Sequence, residues 1–144
     1  MSLSAPELSD RIAAADRALA GGNLPEARAV LEAAAQRDPE QAEFWQRLAT
    51  VRKMAGAPML AVEAIDRALA VDPLDFVNLL MRAHLLDSVG HSEAGEAYGR
   101  ALAQPRPVPL PPVFQNTIAR AEAMWIAHQQ SLTGRLAAAV EASG

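Results

Sequence analysis

A fixed offset links two stretches of this chain, and few sequence features restrict a fold so tightly. Ala27-x3-Leu31-x2-Ala34-x4-Pro39 recurs as Ala61-x3-Ile65-x2-Ala68-x4-Pro73, and 61−27, 65−31, 68−34 and 73−39 all equal 34. Self-similarity at that period marks stacked supersecondary units, none of which can bury its apolar face alone.

The helical reading follows from spacing. Ser4-x-x-Glu7 has the form of a capping box, and Leu8, Ile12, Ala15 and Leu19 follow at helical intervals until Gly21-Gly22 stops them. Asn23 is placed to cap the next helix, Pro25 is tolerated in its first turn, and Ala27, Leu31 and Ala34 share one face. Asp38-Pro39 predicts the start of a further helix, with Asp38 as its cap, and Phe44, Trp45, Leu48 and Ala49 give that helix an apolar side. Gly56 and Pro58 break it, Ala61, Ile65, Ala68 and Leu69 carry the return helix, and Asp72-Pro73 repeats the start signal. A third hairpin holds Phe76, Leu79, Ala83 and Leu86, a turn near Gly90, then Ala94, Tyr98, Ala101 and Leu102. Ala94 lies 33 residues after Ala61, so one residue is missing from the turn after Gly90, where repeats tolerate change best.

The run Pro105-Arg-Pro-Val-Pro-Leu-Pro-Pro112 predicts an extended link, and Phe114, Ile118, Ala121 and Trp125 begin a last apolar stripe that Leu132, Leu136 and Val140 prolong past Gly134. Pattern alone leaves open whether 113–142 is one helix or two. The expected organisation is therefore three hairpins in residues 1–104 (about 5–37, 39–71 and 73–104), a link at 105–112, and a capping segment at 113–142.

Composition narrows the function classes. A formal charge of −4 with no Lys/Arg cluster argues against nucleic-acid binding, and the absence of cysteine removes disulfides, thiol nucleophiles and cysteine metal sites. No apolar run approaches a bilayer span and the N-terminus lacks a secretory signal, so the expectation is a soluble, cytoplasmic protein with no membrane role. His91-Ser92-Glu93 has the His-x-carboxylate spacing of some iron sites, but it falls in a predicted turn; no cofactor, metal site or catalytic residue is expected. Met54, Met59, Met81 and Met124 read as core or rim side chains, and Trp45 and Trp125 as packing residues.

These residues resemble the tetratricopeptide repeat family, whose first helix carries W-x2-L-G-x2-Y. Trp45-x2-Leu48-Ala49-x2-Arg52, Gly56, Ala61, Ile65, Ala68 and Pro73 match it best, with Ala49 in place of the glycine and Arg52 in place of the tyrosine. The first repeat has Arg11 where the tryptophan should be, and the third has Arg82 at the usual leucine position. The resemblance implies an all-α, right-handed solenoid of three helix-turn-helix repeats with a C-terminal capping helix, acting as a non-catalytic scaffold for a protein or peptide in its concave groove. In that geometry the first helix of each repeat lines the groove. Counting from the packing residues gives Ile12, Asp16 and Leu19; Gln46, Thr50 and Lys53; and Leu80, His84 and Asp87 as groove candidates. Some members of that family grip a C-terminal carboxylate with a Lys, Asn and Arg clamp; Asp16, Thr50 and His84 stand at or near those positions here with only Lys53 positive nearby, so no such C-terminal clamp is expected.

The run from Leu79 to Leu86, with Gly90, Tyr98-x-x-Ala101-Leu102 and the proline-rich link, is also similar to the N-terminal repeat module of bacterial aspartyl/asparaginyl β-hydroxylase-like proteins. That likeness implies an alternative role as the N-terminal regulatory or substrate-presenting module of an iron- and 2-oxoglutarate-dependent aspartyl/asparaginyl hydroxylase whose catalytic domain is absent from this chain. Leu132, Leu136 and Val140 exceed what capping needs and form a candidate face for a second copy of the chain or a following domain.

Overall fold

A computed structural model describes residues 2–143; Met1, within the expected 1–104 unit, and Gly144 lie outside the described residues. Among the described residues seven α-helices occur in sequence: α1 (Ala5–Ala20), α2 (Leu24–Arg37), α3 (Ala42–Met54), α4 (Pro58–Val71), α5 (Phe76–Ser88), α6 (Ala94–Leu102) and α7 (Gln115–Ser143). Each helix packs on the next, α1 on α2 through to α6 on α7, so the layers are stacked hairpins and not a single bundle.

The turn inside each hairpin shows the repeat most directly. Gly22, Gly56 and Gly90 sit 34 residues apart with φ of 74°, 78° and 68°, a backbone state that costs an L side chain its Cβ clearance. Each is followed by the same closing bond: Asn23 N–H to the Ala18 carbonyl, Ala57 to Arg52 and His91 to Leu86. Helix starts are met locally. Ser4 Oγ accepts the Glu7 N–H, and Asn23 Oδ1 accepts that of Glu26.

Asp38 and Asp72 do not cap α3 and α5, contrary to the sequence expectation. They end α2 and α4, their backbone N–H groups donating to the Ala34 and Ala68 carbonyls, and Pro39 and Pro73 occupy the turn that follows. The cap of α5 is Asp75, which accepts the Asn78 N–H, and α3 starts at Ala42 with no side-chain cap. Asp38 has another partner: its buried carboxylate accepts the Leu3 N–H at 3.1 Å, fastening the N-terminal segment against the first hairpin.

The core alternates large and small. Leu31, Ile65 and Tyr98 occupy the same slot in successive repeats and are fully buried, while Ala15, Ala27, Ala49, Ala61, Ala83 and Ala94 let adjacent helices approach closely. Leu48, Leu80, Leu85 and Leu86 are buried as well, and each such leucine contributes about 1.5–3 kcal/mol relative to exposure. Departures from the family pattern are explained by partners. Arg82 reaches Asp66 at 2.8 Å, and Arg52 donates to the Leu60 carbonyl at 2.9 Å. Trp45 is half-buried, donating to the Pro39 carbonyl with Arg67 stacked 4.8 Å above its ring.

The link after α6 holds a cis Val108–Pro109 peptide and ends in a 3-10 turn, Pro112–Phe114. Residues 115–143 then form one uninterrupted helix of 29 residues, because Gly134 faces open space and nothing there forces a break. Its first half lies on α6, where Gly95 and Gly99 present no side chain. A Cβ on Gly99 would stand 2.3 Å from the Trp125 ring, and one on Gly95 would stand 2.8 Å from His128 Cβ. Trp125 and His128 stack with ring centroids 5.7 Å apart in that seat.

Candidate functional site

Helices α1, α3, α5 and the start of α7 stand side by side along one face, joined by polar links. Arg47 of α3 pairs with Asp16 of α1 and, at 3.2 Å, with Glu43. Arg120 of α7 grips both oxygens of Asp87 on α5, at 2.9 and 3.0 Å. Between these links the face is open, and two hollows lie along it. The larger, of about 320 Å3, sits at the N-terminal ends of α3 and α5 and is lined by Ala42, Glu43, Gln46, Asp72, Asp75, Val77 and Asn78. The other, of about 180 Å3, lies where α3, α5 and the beginning of α7 meet, lined by Lys53, Leu80, Met81, His84, Val113, Phe114 and Thr117.

The residues singled out by helical counting therefore divide. Lys53, Leu80 and His84 converge on the second hollow, and Gln46 belongs to the first. Leu80 is buried, so it forms the floor of that hollow. Asp87 is not free for a ligand: besides Arg120 it accepts the Tyr98 hydroxyl at 2.9 Å, and its role is to tie α5, α6 and α7 together. Asp16 is committed to Arg47, and the Thr50 hydroxyl donates to the Gln46 carbonyl within its own helix. Ile12 and Leu19 are half-buried against the core.

Met81, Val113, Phe114, Thr117 and Arg120 were not among the groove candidates. The first could have been found from its place one residue after Leu80. The others come from beyond an aperiodic proline-rich link whose path no repeat pattern fixes.

Electrostatics distinguish the two hollows. Glu43, Asp72 and Asp75 line the first, while the second has Lys53 and His84 and no carboxylate in its wall. Burial, and next the Lys53 charge, push the His84 imidazole below its ordinary range, with Asp87 opposing. Asp87 is held below the usual aspartate range by its Arg120 hydrogen bond first and the Tyr98 hydrogen bond in support, against desolvation. The Tyr98 hydroxyl is pushed up by burial and by the Asp87 carboxylate it donates to. His91 makes a turn contact, its Nδ1 accepting the Glu93 N–H at 3.1 Å, and among the described residues no three His, Asp or Glu groups are placed to hold a metal. No helix among them is long and apolar enough to cross a membrane.

Residues 8–51, which span the first hairpin and most of α3, match the tetratricopeptide repeat family model. That stretch resembles a tetratricopeptide repeat. In overall fold the chain is similar to SycD, a type III secretion chaperone of Yersinia enterocolitica solved with a peptide of the translocator YopD. The identity is 20%, the TM-score 0.72, and the match covers 89% of this chain and 96% of that one. PcrH from Pseudomonas aeruginosa gives 21% identity and a TM-score of 0.68 over 88% of this chain and 94% of that one. PcrH bound to the chaperone-binding region of PopD gives 20% identity and a TM-score of 0.69, over 90% and 96%. At such identities the likeness establishes the fold alone: a stack of helical hairpins, here α1–α2, α3–α4 and α5–α6. The hydroxylase-associated alternative gains no support from these relatives.

Proposed function

We propose that this helical-repeat chain is a non-catalytic interaction scaffold that holds a peptide or protein segment along the face of α1, α3, α5 and the start of α7. The observation that carries this reading is the convergence of Lys53, Leu80 and His84, from two different repeats, on one hollow that the α7 end of the solenoid closes. An apolar floor with a few polar groups at its rim is what a peptide-binding groove requires. SycD, solved with a peptide of the translocator YopD, and PcrH, solved with the chaperone-binding region of PopD, share the fold, and this supports the reading without naming a partner for this chain.

Three repeats make a short groove. A bound segment loses conformational freedom that offsets much of its contact energy, so affinities on the order of micromolar are expected. The test is selection of binders from a random peptide library, followed by titration against a Gln46→Ala, Lys53→Ala, His84→Ala triple variant with unchanged circular dichroism. Undiminished binding by the variant would place the contact elsewhere on the molecule.

A further inference from the structure

The hollow at the α7 end of the groove is unlike the rest of the molecule in one respect. The chain has a single lysine, Lys53, and its ammonium makes no ion pair among the described residues, although acidic residues outnumber basic ones 17 to 13. Its neighbour across the hollow, His84, is half-buried, and the nearest carboxylate on that helix, Asp87, is consumed by Arg120 and Tyr98. Below the two nitrogens the wall is apolar: Leu80 and Met81 from α5, Phe114 from the 3-10 turn. The volume, about 180 Å3, is of the size of one aliphatic side chain together with its Cα and neighbouring carboxyl group.

We propose that this hollow reads a partner segment in which an aliphatic residue stands beside an aspartate or glutamate, the aliphatic side chain resting on Leu80, Met81 and Phe114 and the carboxylate meeting Lys53 and His84. This rests on the groove reading and adds the chemistry of its partner. Charge complementarity carries it. An unpaired ammonium at the rim of an apolar cavity gains most from a carboxylate that arrives already attached to an apolar anchor, because both charges then lose water together in a partly shielded place. The other hollow of the same face, with Glu43, Asp72 and Asp75, repels that carboxylate and so fixes which end of the segment lies at α7. Methionine at position 81 adds tolerance, since its unbranched thioether accommodates Leu, Ile or Val alike.

The experiment uses the intact chain and random dodecapeptides displayed on phage. Selected sequences are synthesised with an acetylated N-terminus and an amidated C-terminus, so that only side-chain carboxylates remain. The expected result is enrichment of Leu, Ile or Val within two residues of Asp or Glu. Replacing that acid by its amide in the peptide should weaken binding on the order of tenfold, and Lys53→Glu in the protein should do the same, while Arg28→Glu on the outer helix α2 has no effect. Lys53 is exposed, so its replacement spares the fold. Reductive methylation with labelled formaldehyde gives one side-chain resonance from the single lysine, and this signal should move on titration with the acid peptide and stay still with the amide. Peptides that bind and respond to Gln46→Ala but carry no acid-aliphatic pair, or ignore Lys53→Glu, overturn the inference and leave the groove standing. If no peptide is enriched at all, the groove reading falls with it.

Discussion

Gly99 and Gly134 lie in consecutive helices and make opposite predictions. Gly99 is the floor on which the Trp125 ring rests, and an added methyl would stand 2.3 Å from it, so the ring or the helix must shift. Gly99→Ala should destabilise the chain by about 1–3 kcal/mol, seen as an earlier urea midpoint and an altered Trp125 environment. Gly134 faces open space on the exposed second half of α7, so Gly134→Ala should raise helical content by circular dichroism. It removes a penalty of about 1 kcal/mol for glycine in a helix interior. Because that part of α7 touches nothing, the unfolding midpoint of the body should stay where it is.

The same scale holds the acid response. Asp87 has a carboxyl held below its unfolded value, so the unfolded chain takes up the proton first as pH falls. The stabilisation it provides is complete above the ordinary aspartate range and is lost as pH drops through the lowered value. His84 works in a higher window with the same sign: its imidazole is depressed in the fold, so stability declines as pH falls below about 6.5, the ordinary histidine value. Asp87→Asn should remove the lower of these two transitions and leave the upper. Denaturant midpoints followed from pH 8 down to well below the ordinary aspartate value distinguish them, and a lower transition that persists in the variant would assign it to another carboxylate.

At the scale of elements, the sequence shows clearly where residues repeat and poorly where they do not. The alanines at 27, 34, 61 and 68 and the glycines at 22, 56 and 90 do one mechanical job each time they recur, so their period exposes the hairpins. Asp38-Pro39 misleads because aspartate before proline suits a helix cap and also suits the end of the preceding helix. The Leu3 N–H supplies Asp38 with a distant partner, and no local pattern encodes it. The site was half legible for a related reason. Lys53, Leu80 and His84 come from counting within repeats, whereas Val113, Phe114 and Thr117 reach the hollow only after a link whose course depends on tertiary contacts. The N-terminal fastening is testable: Asp38→Ala leaves the Leu3 N–H without its acceptor and should cost about 1–3 kcal/mol, with faster proteolysis ahead of α1.

For the whole molecule, α7 has two distinct halves. Ile118, Ala121, Met124 and Trp125 seal the last hairpin, as a solenoid's end must be sealed. From Gln129 onward every described residue is exposed, Leu136 and Val140 at 68% and 69%. A free helical segment of this length is marginal in water, and three aliphatic side chains on one side of it favour a partner surface over solvent. We assign that surface to a second copy of the chain, whose own α7 presents the same stripe, so that two projecting halves pair across a two-fold axis. Three aliphatic side chains from each copy would make only a small contact, so the expected dimer is weak and concentration-dependent. Sedimentation of the intact chain from micromolar to high micromolar concentration should show mass rising toward a dimer. A chain ending at Gln130 should remain monomeric with its groove and its Trp125 seat intact, and Leu136→Glu with Val140→Glu should behave like the truncation. Equal, unchanging masses for all three would mean that the stripe serves a different partner and that the groove works in a monomer.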